Sequence, residues 1–217
     1  LFLVKRGHII LISSIVILSG FGVYILIHRL SFKKNLVRVA KEELKKWKGI
    51  KELSPKVSET LVKYWKSVGR VFSPEQMQSA SVHGAWPWSS AFISYIFYKA
   101  GAKDQFPYSS GHSGYFQKAK QNRSNSKASL RGFRISEYAP KIGDLIVFSR
   151  QSGAGYDTSG FFPSHGELVV EVGNGFVKTI GGNVSDAVIE SKFTTDQKGF
   201  VTRKERDFFM VIQNNIK

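Results

Sequence analysis

Ser89, His165, Asn183 and Glu167 are side chains whose types and order could perform acyl transfer. They offer a hydroxyl nucleophile, an imidazole base, and a polar group to hold that base. After Ser89, the residues Phe92, Ile93, Ile96 and Phe97 fall three, four, seven and eight positions on, which is the spacing of one apolar helical face. The pattern predicts a helix capped by Ser89 and stopped by Gly101. At its N-terminus, free backbone N–H groups and the positive dipole end favour a developing oxyanion. A serine at a helix start most often only caps, so the residues downstream of it decide its role.

The second half of the chain is β-rich. Pro140-Lys141-Ile142-Gly143 is a turn that feeds Asp144 to Phe148, an apolar run short enough for a strand buried on both faces. A Gly/Ser-rich loop, Gln151 to Pro163, is long enough to cover a cleft. Beyond it, Gly166, Leu168, Val170 and Val172 alternate with His165, Glu167, Val169 and Glu171. The chain turns at Gly173-Asn174-Gly175 and returns through Ile180 to Asn183. A three-residue turn pairs Val172 with Phe176, Leu168 with Ile180 and His165 with Asn183, and a two-residue Asn-Gly turn shifts that register by one. In either register His165 takes the Ser89 proton, and Asn183 or Glu167 fixes the imidazole tautomer.

Other residues suggest a cleft. His112 sits in a Gly/Ser loop after the helix, and Trp86, Trp88, Phe161 and Phe162 could wall a site for a sugar or peptide. Each has a plainer reading, as a surface histidine or core aromatics. His83 reads as structural. A zinc site from His83, His112 and His165 matches no ligand spacing, so no metal or cofactor is expected. The segment Lys118 to Arg134 reads as a polar surface loop.

Composition limits the class. The 217 residues allow one domain and something smaller, and the absence of cysteine excludes disulfides, thiolate zinc and a cysteine nucleophile. The net charge of +16 points to a polyanionic setting: anionic lipid, cell-wall polymer or nucleic acid. No nucleic-acid fold signature accompanies it, so no specific nucleic acid is expected. Residues 9–27 carry no charge and extend roughly 28 Å as a helix, predicting an uncleaved transmembrane anchor within residues 1–30. Residues 31–72 read as a basic helical connector, able to lie on an anionic lipid surface or to pack its aromatics on the main domain, the latter favoured for its second helix, and residues 73–217 as the main domain. Ser54-Pro55 within the connector and Ser73-Pro74-Glu75-Gln76 at the start of the main domain are helix-start devices. Arg29, Lys33, Lys34, Arg38 and Lys41 outnumber Lys5 and Arg6, which places the domain in the cytoplasm, whereas a cell-wall role needs the opposite side.

Four motifs in order, Pro87-Trp88-Ser89-Ser90-Ala91-Phe92-Ile93-Ser94, Pro140-x-x-Gly143-Asp144-Leu145-Ile146, Ser164-His165 and Gly181-Gly182-Asn183-Val184, resemble the NlpC-type and CHAP papain-like hydrolases. They are similar, more closely, to the bacterial family known as domain of unknown function 2272. The resemblance implies an α+β papain-like fold, a helix packed on an antiparallel sheet, that cleaves amide or peptide bonds of peptidoglycan stem peptides. Together with the apolar run 9–27, it gives the expectation of a single-pass protein of a bacterial inner membrane, its domain facing the cell wall, or of a virion membrane. NlpC-type and CHAP enzymes have cysteine where this chain has Ser89, a poorer nucleophile that demands a good base. A catalytically inactive papain-like module that binds cell wall or a partner is the rival expectation.

Overall fold

The computed structural model describes the backbone of residues 20–217 and the side chains of residues 32–217. The expected membrane span, residues 9–27, lies outside the residues whose side chains are described. Among the described residues no helix is long and apolar enough to cross a membrane. The fold is α+β: helices α1 (Gly20–Lys46), α2 (Pro55–Lys66), α3 (Ala80–Ala85), α4 (Ser89–Ala100) and α5 (Ser113–Gln121) precede or flank strands β1 (Leu130–Arg134), β2 (Leu145–Ser149), β3 (Ser164–Gly173), β4 (Phe176–Val184), β5 (Ala187–Thr194) and β6 (Phe208–Asn214). The strands form one antiparallel sheet in the order β1-β6-β2-β3-β4-β5.

Helix α4 is the centre of the molecule. Its residues from Ser89 to Phe97 and Ala100 are all buried, so it is covered on every side and not along one stripe. One side rests on β3 and β4 and the others meet α1 and α2. Close approach to the sheet requires Gly182, where a Cβ would come within 2.5 Å of Phe92. The helix ends at Gly101 in the left-handed conformation, as its position after Ala100 predicts.

Residues 31–72 belong to the same core and do not stand apart as a connector. Phe32, Leu36, Val39, Ala40 and Trp47 from α1 and its end, and Val57, Leu61, Tyr64 and Trp65 from α2, join the apolar cluster of α4 and the sheet. Ser54 caps α2 by accepting from Lys56 N–H, with Pro55 at the first helical position. Ser73 and Gln76 form reciprocal capping bonds over a short 3-10 turn. The stretch Lys118 to Arg134 is only partly a loop, since it contains the end of α5 and all of β1.

Strand β2 is buried at all five positions, as its unbroken apolar run predicts. The β3–β4 hairpin combines the two expected registers. Gly173 pairs with Phe176 across Asn174-Gly175, and a bulge between Val169 and Glu171 restores the pairing of Leu168 with Ile180. His165 pairs instead with Phe148 of β2.

Asp144 joins these layers. Wholly buried, it accepts from the backbone N–H groups of Lys141 at 2.9 Å and Asn214 at 3.0 Å, and it pairs with Lys33 of α1 at 3.1 Å. Replacing it orphans the buried Asn214 N–H and the part-buried Lys141 N–H. Asp144→Ala is expected to cost on the order of 3 kcal/mol in urea unfolding. Lys33→Ala, which removes a part-exposed partner, should cost about 1 kcal/mol or less.

Candidate active site

The site is built outward from the N-terminus of α4. Trp88 is its cap residue and is fully buried, its ring stacked on Trp47 at 4.8 Å and its indole N–H donating to Glu52 at 2.7 Å. Trp47 in turn donates to the Tyr64 hydroxyl at 3.0 Å, which donates to Glu43 at 2.7 Å. This clamp fixes the residue just before Ser89. Ser89 is therefore the first helical residue, not the cap, and its hydroxyl is free for another partner.

That partner is His112. Ser89 Oγ and His112 Nε2 are 2.7 Å apart, with Ser89 4% exposed and His112 4% exposed. Two further serines of α4 bring the histidine into place. Ser90 and Ser94 both donate to the Ser109 carbonyl, at 2.8 and 3.1 Å, and Ser94 accepts from Ser109 N–H. The loop carrying His112 is thereby fastened to the helix carrying Ser89. On its other nitrogen, His112 Nδ1 is hydrogen bonded to the Tyr115 hydroxyl. Both groups lie against Gly166 of β3, where a Cβ would stand 2.2 Å from the Tyr115 oxygen and 3.1 Å from His112 Nδ1. Only glycine leaves that space.

Burial, then the neighbouring His165 and Arg150, hold the His112 imidazole well below the usual histidine range, so it is neutral at physiological pH. Burial pushes the Tyr115 phenol well above its ordinary value, so it too is uncharged. In the tautomer whose Nδ1–H donates to Tyr115, Nε2 presents its lone pair to Ser89.

His165 occupies a different place from the one its sequence position suggested. It shares its strand face with Val169 and Phe148, which belong to a second apolar cluster, while Gly166, Leu168 and Val170 face α4. Its ring lies 5.3 Å from the His112 ring, and no hydrogen bond joins it to Ser89. His165 Nε2 is 3.4 Å from Glu167 Oε1, and Nδ1 is 3.2 Å from an Arg150 guanidinium nitrogen. Glu167 also accepts from the Thr179 hydroxyl. Glu167, not Asn183, is thus the neighbour of His165. Asn183 has a left-handed backbone at the end of β4, and its side chain makes none of the hydrogen bonds among the described residues.

A groove of about 250 Å³ opens on the pair, lined by Ser89, His112, Arg150, Phe161, Phe162 and Pro163 among others. The expected covering loop, Gln151 to Pro163, does supply its wall. Phe161 is 77% exposed there, whereas Phe162 is buried between Phe116 and Phe209. Trp86 and Phe161 line an adjoining hollow, with the Arg70 guanidinium over the Trp86 ring at 4.1 Å. Of the aromatics expected on a substrate wall, Trp86 and Phe161 present surface to it, while Trp88 is part of the core. His83 is remote in role, its Nε2 bonded to the Met77 carbonyl at 2.9 Å.

Sequence reasoning misses Tyr115 and Arg150. The signal for Tyr115 is its position three residues after His112, which places both on one helical face. Arg150 carries a signal only in being a charge at the end of an apolar strand.

The family described as "Uncharacterized protein conserved in bacteria (DUF2272)" matches residues 47–212. Comparison with curated proteins and with solved structures found no match. The matched stretch holds the Trp88 clamp, Ser89, His112, Tyr115 and the paired strands, and the chain belongs to this bacterial family.

Proposed function

We propose that the protein is a serine hydrolase of amide bonds, with Ser89 as nucleophile and His112 as its base. The observation that carries this reading is the 2.7 Å contact between Ser89 Oγ and His112 Nε2 at the floor of an open groove. Ser89 Oγ would attack the carbonyl carbon as its proton passes to His112 Nε2. This step uses the tautomer in which His112 Nδ1–H donates to the Tyr115 oxygen. The first N–H groups of α4 face the forming oxyanion. Collapse of the tetrahedral adduct expels the amine, which takes the proton from His112, and water then hydrolyses the acyl-serine by the same route.

The resemblance of the four motifs to NlpC-type and CHAP enzymes supports a papain-like reading of this α+β fold and peptidoglycan stem peptides as substrate. The apolar residues 9–27 support a membrane anchor, and a peptidoglycan substrate requires the domain on the cell-wall side, against the count of flanking positive charges. A second reading has one observation in its favour: the group behind His112 is a neutral phenol and not a carboxylate, so nothing negative stabilises an imidazolium. On that reading the groove binds cell-wall peptide without turning it over.

Two measurements separate them. A fluorophosphonate probe is expected to label Ser89 in the full chain, and mass spectrometry of digested peptidoglycan to show released fragments. Ser89→Ala should abolish both, and His112→Ala should lower turnover by roughly 10²–10⁴-fold. Unlabelled Ser89 with intact peptidoglycan binding would favour the inert module.

The pH profile supplies the second. Because the folded protein holds His112 below its ordinary value near 6.5, the base is already unprotonated there. The acid limb of kcat/KM should therefore lie below pH 6.5, with turnover flat from about that pH to 8. By the same linkage, the unfolded chain binds a proton that the folded chain refuses. Stability should accordingly fall as pH drops below 6.5, with a slope approaching about 1.4 kcal/mol per pH unit from this group. His112→Gln should remove that part of the slope in urea titrations.

A further inference from the structure

Arg150 is the unabsorbed feature of this groove. It leaves the end of β2, where Ser149 pairs with Ser164, and its backbone N–H donates to the Pro163 carbonyl at 2.9 Å. It is thus held by main chain opposite the start of β3. Its side chain is exposed and lines the groove beside Ser89 and His112. Among the described residues that line the groove, Arg150 alone carries a charge. The adjoining hollow is lined by Trp65, Trp86, Phe161 and small residues, and the nearest described cation there, Arg70, lies over the Trp86 ring. The guanidinium takes part in none of the ion pairs among the described residues. Its one side-chain partner is His165 Nδ1 at 3.2 Å.

That contact requires a particular tautomer. To accept from Arg150, Nδ1 must carry the lone pair, so the imidazole proton sits on Nε2, the nitrogen 3.4 Å from Glu167 Oε1. Glu167 is 2% exposed and also held by the Thr179 hydroxyl, so the carboxylate is fixed in turn. The Thr179 hydroxyl donates to Glu167, whose Oε1 stands 3.4 Å from His165 Nε2 with no hydrogen bond between them, and His165 Nδ1 meets the guanidinium. A second cavity of about 480 Å³ lies on the His165 and Glu167 side, with Arg150 lining both cavities.

We propose that Arg150 selects substrates bearing a free carboxylate near the scissile amide, and that His165, backed by Glu167, is a positioning residue that aims the guanidinium into the Ser89 groove. A planar guanidinium matches a carboxylate with two parallel hydrogen bonds, and one charge among apolar and hydroxyl walls discriminates by sign. The proposal rests on the serine-hydrolase reading only for where the scissile bond lies.

The test is peptide binding by the full chain carrying Ser89→Ala, in detergent, measured by calorimetry. The probes are the stem peptide L-Ala–γ-D-Glu–L-Lys–D-Ala and the same peptide with its free carboxylates converted to carboxamides. The acid form is expected to bind roughly tenfold more tightly or better. Adding Arg150→Gln should bring the ratio to about one. His165→Gln, whose side-chain oxygen can still accept from Arg150, should keep part of the preference, and His165→Leu should lose it. Because His165 is wholly buried, thermal melting checks that its variants fold, and the exposed Arg150 variant carries the test if they do not. Equal binding of the two peptides, binding of neither, or a preference that survives Arg150→Gln overturns the carboxylate role. A folded His165→Leu protein with the full preference overturns the positioning role. The fluorophosphonate probe has no carboxylate, so failure of labelling at Ser89 and failure of this preference are separate results.

Discussion

The indole of Trp88 is the constraint on which the site depends. Its stack on Trp47 and its hydrogen bond to Glu52 fix the start of α4 against α1 and the α1–α2 loop. A helix start held this way has one direction in which its first side chain can point. Ser89 then meets His112 because Ser90 and Ser94, on the same helix, hold the Ser109 carbonyl. Trp88, Ser90 and Ser94 are thus structural neighbours that give Ser89 a fixed address. The helix can be buried on all sides because Gly182 lets it down onto the sheet and α1 and α2 cover its back.

Much of this frame is legible from the residues. The apolar spacing after Ser89, the glycine stop, the buried run of β2 and the alternation along β3 each follow from local periodicity, and each is present. What periodicity cannot say is which face of a strand meets the helix. His165 and Glu167 do share a face, as alternation requires, but the face that meets α4 is that of Gly166, Leu168 and Val170. Gly166 amid bulky residues is the clue, since a missing side chain in a strand marks a close approach. The approaching groups are His112 and Tyr115. Trp86 and Trp88 show the same limit. Two residues apart across the turn into the helix, one faces an outer hollow and the other the core. The helices of residues 31–72 are readable as helices with aromatics to rest on the main domain, but nothing local reveals that the element they cover is α4.

The two histidines divide the labour by their second nitrogens. His112 has a neutral phenol at Nδ1 and the Ser89 hydroxyl at Nε2. His165 has a buried carboxylate on one side and a guanidinium on the other, the surroundings of a group that holds a charge in place. Had the Ser89 base possessed the Glu167 partner, the arrangement would match the serine, histidine and acid order expected from the sequence. Instead the acid serves the other imidazole. This redistribution follows from geometry, because a single strand cannot turn adjacent residues to the same face.

The tautomer and pairing of His112 can be observed directly by nitrogen NMR of imidazole-labelled protein, with the two histidines assigned by substitution. If Ser89 and His112 are the reacting pair, His112 is neutral at pH 6.5 with its proton on Nδ1, and Ser89→Ala shifts the His112 Nε2 signal while leaving His165 unchanged. A His112 proton on Nε2, or a Ser89→Ala effect confined to His165, would contradict it.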